Sequence, residues 1–294
     1  MGPEATAMET PCVTAILPAY KAEAFLADTL DSLAAQTWPN LEIVAADDGS
    51  DDATGEMLEA FAKTHPNMKV VRRDQNIGWI RNTNDLMSRA SGDFMFFAFH
   101  DDVIQPGYVT RLTEALLSEP RAVLAYSDLE QVDTDGSRKI LRTNGDTVDV
   151  ATYDRLLDHA LQKENWHIPH RGVFRASAYR ALGGMRAHER GEYAADWIWL
   201  LGLLGHGGFL RVPEVLCTKR YMKQSLTKVW QASPEINVSL IEAGKETVAA
   251  MRTIGPIHKM MLLSAMSQRQ KGGDGRLFVE RSRKAVLRLL GKVA

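Results

Sequence analysis

Three acidic positions have the residue types and neighbours that chemistry would need. Asp47-Asp48-Gly49-Ser50 follows an apolar run, so its carboxylates can accept from the ring N–H of a nucleoside base or from ribose hydroxyls, and Gly49 permits a close backbone approach. The same residues also read as a capped turn entering a helix. They make a poor calcium loop, because Asp47 to Asp52 lacks the alternating acids and the distal Glu of such a loop. Asp101-Asp102 follows a second apolar run. Adjacent hard oxygen ligands of this kind suit Mg2+ or Mn2+, which in turn bridge diphosphate oxygens, and like charges so close repel unless a cation neutralises them. A solvated loop whose acids cap the helix at Pro106 is the alternative. Asp196 lies in the first turn of an apolar helical run, where the helix dipole alone already favours an acid.

These acids need elements that bring them together. Val13–Leu17, Leu41–Ala46, Met68–Val71, Phe94–Phe99 and Val123–Ser127 are short apolar runs of the kind buried parallel strands show. Between them lie helical patterns: Leu26, Leu30 and Leu33; Met57, Leu58 and Phe61 after a cap at Ser50 or Asp51; Ile77–Ala90; and a helix from Pro106 through Leu116 and Leu117. Strand–helix alternation predicts an α/β fold, with a mostly parallel central sheet and helices on both faces. Ligands of such sheets bind beyond the carboxyl ends of the strands. Both acidic pairs fall there and therefore share one crevice. The first strand–helix turn, Pro18-Ala-Tyr-Lys-Ala-Glu, has no glycine to admit a dinucleotide pyrophosphate.

Beyond residue 130 the pattern is less regular. Helices are expected at Tyr153–Leu161, up to Leu182, and at Ala195–Leu204. A His-rich turn spans Trp166 to His170, and two strands are expected near Phe209–Val212 and Val215–Tyr221. Residues 231–294 read as a helical C-terminal extension. With 294 residues, 45% of them hydrophobic and 24% charged, the chain has the composition of a soluble globular protein. A net charge of −2 gives no reason to expect nucleic acid as a partner. Cys12 and Cys217 sit in apolar runs without zinc spacing and read as small core residues in a reducing compartment. No secretory signal or membrane-length apolar stretch is seen, so a cytoplasmic location is expected.

The order of motifs over residues 10–230 resembles family 2 glycosyltransferases of the GT-A fold. The matching pieces are Val13-Thr-Ala-Ile-Leu-Pro-Ala-Tyr20, Leu33-Ala-Ala-Gln-Thr-Trp-Pro39, and the run from Leu41 through Asp47-Asp48-Gly49-Ser50 to Thr54. They continue with Asn76-Ile-Gly78, Asn84, Ala90-Ser-Gly-Asp-Phe94 and His100-Asp-Asp-Val-Ile-Gln-Pro-Gly107. Each is weak alone, and their joint order is specific. The resemblance implies an inverting, nucleotide-sugar-dependent enzyme. Residues 10–130 would form its nucleotide-sugar-binding half and residues 131–230 its acceptor-binding half.

The resemblance also implies roles. Tyr20, on the segment with Pro18, would stack on the donor base. Asp48 would bond the base edge beside Asp47, and Arg81 would pass near the diphosphate. Asp101 and Asp102 match the DXD-type metal site for Mn2+ or Mg2+, with Asp102 the direct ligand; Phe99 stands where relatives often carry a further acid. Arg220 fits a basic position near the diphosphate, although Met222 replaces the usual His. Lys219 and Lys223 are other cations for that task. Asp196, in Gly191-Glu192-Tyr-Ala-Ala-Asp196-Trp197, would be the general base. Trp197 and His167 fall where relatives bind acceptor, near Trp166, His170 and Trp199, although a Trp on an apolar helix is more often core.

A UDP-sugar is the donor by resemblance only, with a glycan, lipid-linked or small-molecule hydroxyl as acceptor. Phe99 and Met222 motivate a different reading, a catalytically inactive sugar-nucleotide-binding module. A nucleotidyltransferase would need a Gly- and Lys-rich phosphate loop that the sequence lacks. From Arg269 onward eight Lys or Arg stand against two acids, and Val279, Val286, Leu290 and Val293 share a helical stripe. Such a basic amphipathic helix docks on its own domain, in a homodimer, or on the anionic inner face of the cell membrane.

Overall fold

The structure, a computed structural model, describes residues 10–143, 153–162, 165–221 and 233–273. The first half alternates as its apolar runs require: Val13–Ala19 (β1), Leu26–Ala34 (α1), Leu41–Asp47 (β2), Thr54–Thr64 (α2), Met68–Arg72 (β3), Trp79–Arg89 (α3), Phe94–Phe97 (β4), Asp102–Ile104 (β5) and Tyr108–Ser118 (α4). β1 is buried along almost its whole length because parallel neighbours flank it on both sides, β2 and β4. The stripe Leu26, Leu30 and Leu33 is the buried face of α1. Neither Ser50 nor Asp51 caps α2: Ser50 Oγ accepts from Lys21 N (3.0 Å), Asp51 pairs with Lys21 Nζ (2.9 Å), and Asp52 Oδ1 takes the Thr54 N–H (3.0 Å).

The second half comprises Ala122–Val132 (β6), Arg138–Leu141 (β7), Tyr153–Ala160 (α5), a 3-10 turn at Pro169–Arg171, Val173–Arg175 (β8), Ala176–Leu182 (α6), Ala195–Leu204 (α7), Gly208–Arg220 (β9), Pro234–Ala250 (α8) and Pro256–Gln270 (α9). All strands described join one sheet, ordered β3-β2-β1-β4-β8-β6-β9-β5 with β7 on the side of β6. The expected parallel sheet is its β3-β2-β1-β4 half. Beyond it β8 runs antiparallel to both β4 and β6, and β9 is parallel to β6 and antiparallel to β5. The two strands expected around residues 209–221 are one strand. Pro213, which has no N–H to donate, falls where the register slips from Ser127↔Val212 to Asp128↔Val215, so the break is a bulge within β9.

α7 is apolar all round because it is buried all round. α8 and α9 complete its burial, contributing Leu240, Ile241, Val248, Met261, Leu262, Ala265 and Met266 to the core. Cys217 is buried and Cys12 half-exposed, both free. Among the described residues no helix is long and apolar enough to cross a membrane.

Gly244 of α8 seats against α7: a Cβ there would lie 2.6 Å from Trp197 Cη2 and 2.9 Å from Met266 Cε. Gly244→Leu should therefore destabilise the protein by about 1–3 kcal/mol, although leucine is the better helix former. Denaturant unfolding checks this; an unchanged or raised midpoint would show that α8 is not seated on Trp197.

Candidate active site

The first acid pair ends β2. Asp47 Oδ1 accepts the Ser50 N–H (3.0 Å) and closes the turn. Asp48 accepts from Ile77 N through Oδ1 (3.1 Å) and from Gly78 N through Oδ2 (3.2 Å), tying the turn to the start of α3. Gly49 makes this possible. Its φ is +73°, and a Cβ would sit 2.5 Å from the Gln75 carbonyl carbon. Burial pushes the Asp48 carboxyl above its usual range, opposed by those N–H groups and by Arg73.

Tyr20 lies at the same sheet edge, 40% exposed, just past the end of β1. Pro18 precedes it, its carbonyl 3.3 Å from His100 Nδ1. Arg81 is exposed on the first turn of α3. Glu192, to which the sequence reading gave no role, faces this point: its Oε1 would be 3.3 Å from a Cβ on Gly78. Burial raises the Glu192 pKa, eased by the Arg81 charge and the Ile80 N–H.

The second acid pair lies between β4 and β9, and here the structure departs from the sequence reading. Asp102, expected as the direct metal ligand, is buried with Oδ2 2.5 Å from Arg171 Nε. Its Oδ1 is also buried and has no hydrogen-bond partner. Arg171 donates Nη1 to the His167 carbonyl (2.9 Å), and its guanidinium lies 4.9 Å over the Phe99 ring. Tyr108 Oη donates to the Arg171 carbonyl (2.5 Å). Burial pushes the Asp102 carboxyl up to about 6 against the pull of Arg171, while the carboxylates of Asp102 and Asp101 hold the Arg171 guanidinium protonated against its own burial. Asp101 is half-exposed, and its carboxylate accepts no hydrogen bond from the described residues.

Arg220, expected near the diphosphate, has its donors taken. It pairs with Asp28 and donates to the carbonyls of Asp101 (2.9 Å) and Phe25 (3.1 Å), so it braces the acidic loop from behind. Lys219, opposite Asp102 in the β5–β9 register, is the cation turned to the acids. Burial lowers its pKa to about 8; Arg171 adds to the fall, and Asp102, Asp101 and Asp196 oppose it. Met222 and Lys223 lie outside the described residues, as do Val279, Val286, Leu290 and Val293.

Asp196 stands in the first turn of α7, just after Ala194 with its left-handed φ of +52°. Its side chain is 18% exposed, and Oδ2 lies 3.2 Å from His170 Nδ1. Burial would raise its pKa, but His170, the Trp197 N–H and Arg171 outweigh it and hold the carboxyl below the usual range. His167 is driven down to about 3 by burial, then by Lys219 and Arg171, so its ring is neutral. Trp197, expected at the acceptor, is not available to one: it has no exposed surface, its Nε1 donates to the His159 carbonyl (2.8 Å), and Gly244 packs on its ring. Trp199 is core as well, and Trp166 is half-buried.

The residues thus fall into two clusters, one at each end of the candidate site. Tyr20, Asp47, Asp48, Arg81 and Glu192 lie at one end. Asp101, Asp102, Lys219, Arg171, His170, His167 and Asp196 lie at the other. Among the described residues no three His, Cys, Asp or Glu side chains cluster as a complete metal cage.

Comparison with known proteins agrees with this architecture. The family profile described as Glycosyl transferase family 2 matches residues 14–183, and the chain belongs to that family. Glycosyltransferase GlyA of Streptococcus pneumoniae is 25% identical over 283 residues, which cover 89% of this chain and 38% of GlyA; the chain spans well under half of that relative. Residues 1–349 of S. aureus TarS, solved in complex with UDP-GlcNAc, superpose with a TM-score of 0.71 at 16% identity, covering 88% of this chain and 72% of that one. The mannosyltransferase PcManGT of Pyrobaculum calidifontis, solved with GDP-Man and Mn2+, gives a TM-score of 0.51 at 16% identity, over 97% and 88% of the two chains. The fold is the GT-A fold.

Arg171→Met should cost about 3–5 kcal/mol near neutral pH, because it strands a buried carboxylate. The double variant Arg171→Met/Asp102→Leu should recover most of that. Losing its cation raises the folded-state pKa of Asp102 further above the unfolded value. The single variant should therefore lose stability as pH rises from about 4 towards that raised pKa, where the folded protein must shed a proton that the unfolded chain has already lost. Urea unfolding of both variants across this range checks the sign. Equal losses in the single and double variants would mean that the pair is not the anchor described.

Proposed function

We propose that the chain is an inverting glycosyltransferase that moves a sugar from a nucleoside diphosphate donor to a hydroxyl group. The observation that carries this is the pairing of Asp196, partly exposed and held ionised, with the 3-10 turn that also holds Asp102. Residues 10–130 would bind the donor and residues 131–230 the acceptor, with α8 and α9 as a helical extension. Tyr20 offers a stacking face for the base, and Asp47 and Asp48 fix the turn beside it. Arg81 and Lys219 supply positive charge for the diphosphate, and Arg220 braces the acidic loop that faces it. Asp101 would hold Mn2+ or Mg2+, which would supply neutralising charge for a leaving diphosphate.

In the reaction the acceptor oxygen attacks the anomeric carbon from the face opposite the diphosphate. Its proton passes to Asp196, the new C–O bond forms, and the bond to the diphosphate breaks with its electron pair leaving on phosphate oxygen. A single displacement inverts the anomeric configuration. The TarS and PcManGT complexes make UDP-sugars the first donors to test and GDP-mannose the second. His167 and Trp166 border the acceptor side, where a glycan, lipid-linked or small-molecule hydroxyl would enter. Phe99 in place of an acid, with Asp102 engaged by Arg171, favours one other reading, a sugar-nucleotide-binding module without turnover.

Nucleoside diphosphate release from UDP-GlcNAc, UDP-glucose and GDP-mannose with Mn2+ separates the two. The expected outcome is metal-dependent release from one donor, with Asp196→Asn lowering kcat by about 10²–10⁴-fold, the usual contribution of a general base. Undiminished release by Asp196→Asn would contradict the mechanism, and no release from any donor would favour the binding module.

A further inference from the structure

We infer that His170 is a positioning residue: its Nδ1–H donates to Asp196 Oδ2 and aims the carboxylate at the acceptor hydroxyl. This rests on Asp196 being the base. The two nitrogens of the ring decide the direction of the bond. Nδ1 lies 3.2 Å from a carboxylate oxygen, and Nε2 is buried with no hydrogen-bond partner. Were the proton on Nε2, a lone pair would face the carboxylate and a buried N–H would go unmet. With it on Nδ1, the donor meets its acceptor and only a lone pair is left over, the less costly omission.

The ring is held from several sides. It packs against Phe97 (centroids 4.9 Å apart) and Phe99 (5.1 Å), and its own backbone N–H bonds to the Trp166 carbonyl (3.0 Å). Phe99, at a position where relatives often carry an acid, therefore packs against both His170 and Arg171. Adjacent residues of one turn meet the two acids, Arg171 meeting Asp102 and His170 meeting Asp196, so the turn ties their positions together. The bond from Nδ1 engages Oδ2 of the carboxylate. The charged and titratable groups facing Asp196 are His170, Arg171 and His167 from the turn and the loop before it, and Lys219 from β9; the Trp197 N–H comes from its own helix.

Two variants separate positioning from bulk. Asn places an amide N–H near the Nδ1 position, whereas Phe keeps the ring and loses the donor. In protein labelled at the Asp carboxyl carbons, with Asp196→Asn assigning the signal, the Asp196 titration should move to higher pH in His170→Phe and return part of the way in His170→Asn. Long-range ¹H–¹⁵N spectra of the wild-type protein should show the His170 ring protonated on Nδ1. With whichever donor turns over, His170→Phe should lower kcat by up to about 10²-fold, as a misplaced catalytic group does, and shift the acid limb of kcat/KM upward. Its affinity for UDP or GDP should not change.

A proton on Nε2 in the wild-type protein, or identical Asp196 titrations in wild type and His170→Phe, would overturn the inference. The wild-type spectrum decides even if a variant does not fold. The titrations read the His–Asp pair whether or not any donor turns over, so the pair and the glycosyltransferase reading can fail separately.

Discussion

Between the Asp102 carboxylate and the Arg171 guanidinium, 2.5 Å apart and both buried, lies the contact that joins the two halves of the crevice. Removing two charges from water costs several kcal/mol per ion, and such a pair persists only where further bonds satisfy it. Here they come from every side: the His167 carbonyl, the face of Phe99, and the Tyr108 hydroxyl on the Arg171 carbonyl. Those contacts place the turn Pro169–Arg171 against the ends of β4 and β5. His170, the residue before Arg171, turns its ring to Asp196.

The same constraint explains why the sheet changes character at β4. Parallel strands with crossover helices bring Asp48 and Asp101 to one edge. Arg171, which meets Asp102, arrives instead on the 3-10 turn just before β8, the strand that runs antiparallel to β4. Behind this, α7 carries Asp196, the one partly exposed residue of its first turn, and packs against α8. The C-terminal helices thus hold the element that bears the proposed base.

Much of the end that bears Asp47 and Asp48 is legible in the sequence because it depends on local order: an apolar run, then acids, then a helix. The positions of β1 to β4 and of Asp47-Asp48 follow from that order alone. The partners of Asp102 and Asp196 were not legible. Arg171 lies 69 residues from Asp102 and carries no motif of its own. His170 looked like any histidine in a turn. Trp197 was misplaced because a Trp next to a functional acid suggests a ligand face, whereas α7 is apolar on all sides and keeps its rings inside. Arg220 was assigned from its position along the chain, and the structure turns it towards Asp28 and two carbonyls behind the acidic loop.

Whether the converging strand ends form a nucleoside diphosphate site aided by a divalent cation is read from thermal unfolding with UDP, GDP, dTDP and CDP, each with and without Mn2+. A ligand at 100 times its dissociation constant stabilises the native state by about 2.7 kcal/mol, enough to be plain in a melting curve. The account predicts a metal-dependent shift with one nucleotide that is lost in Asp101→Ala. A flat response to all four, or a shift indifferent to both Mn2+ and Asp101, would contradict it.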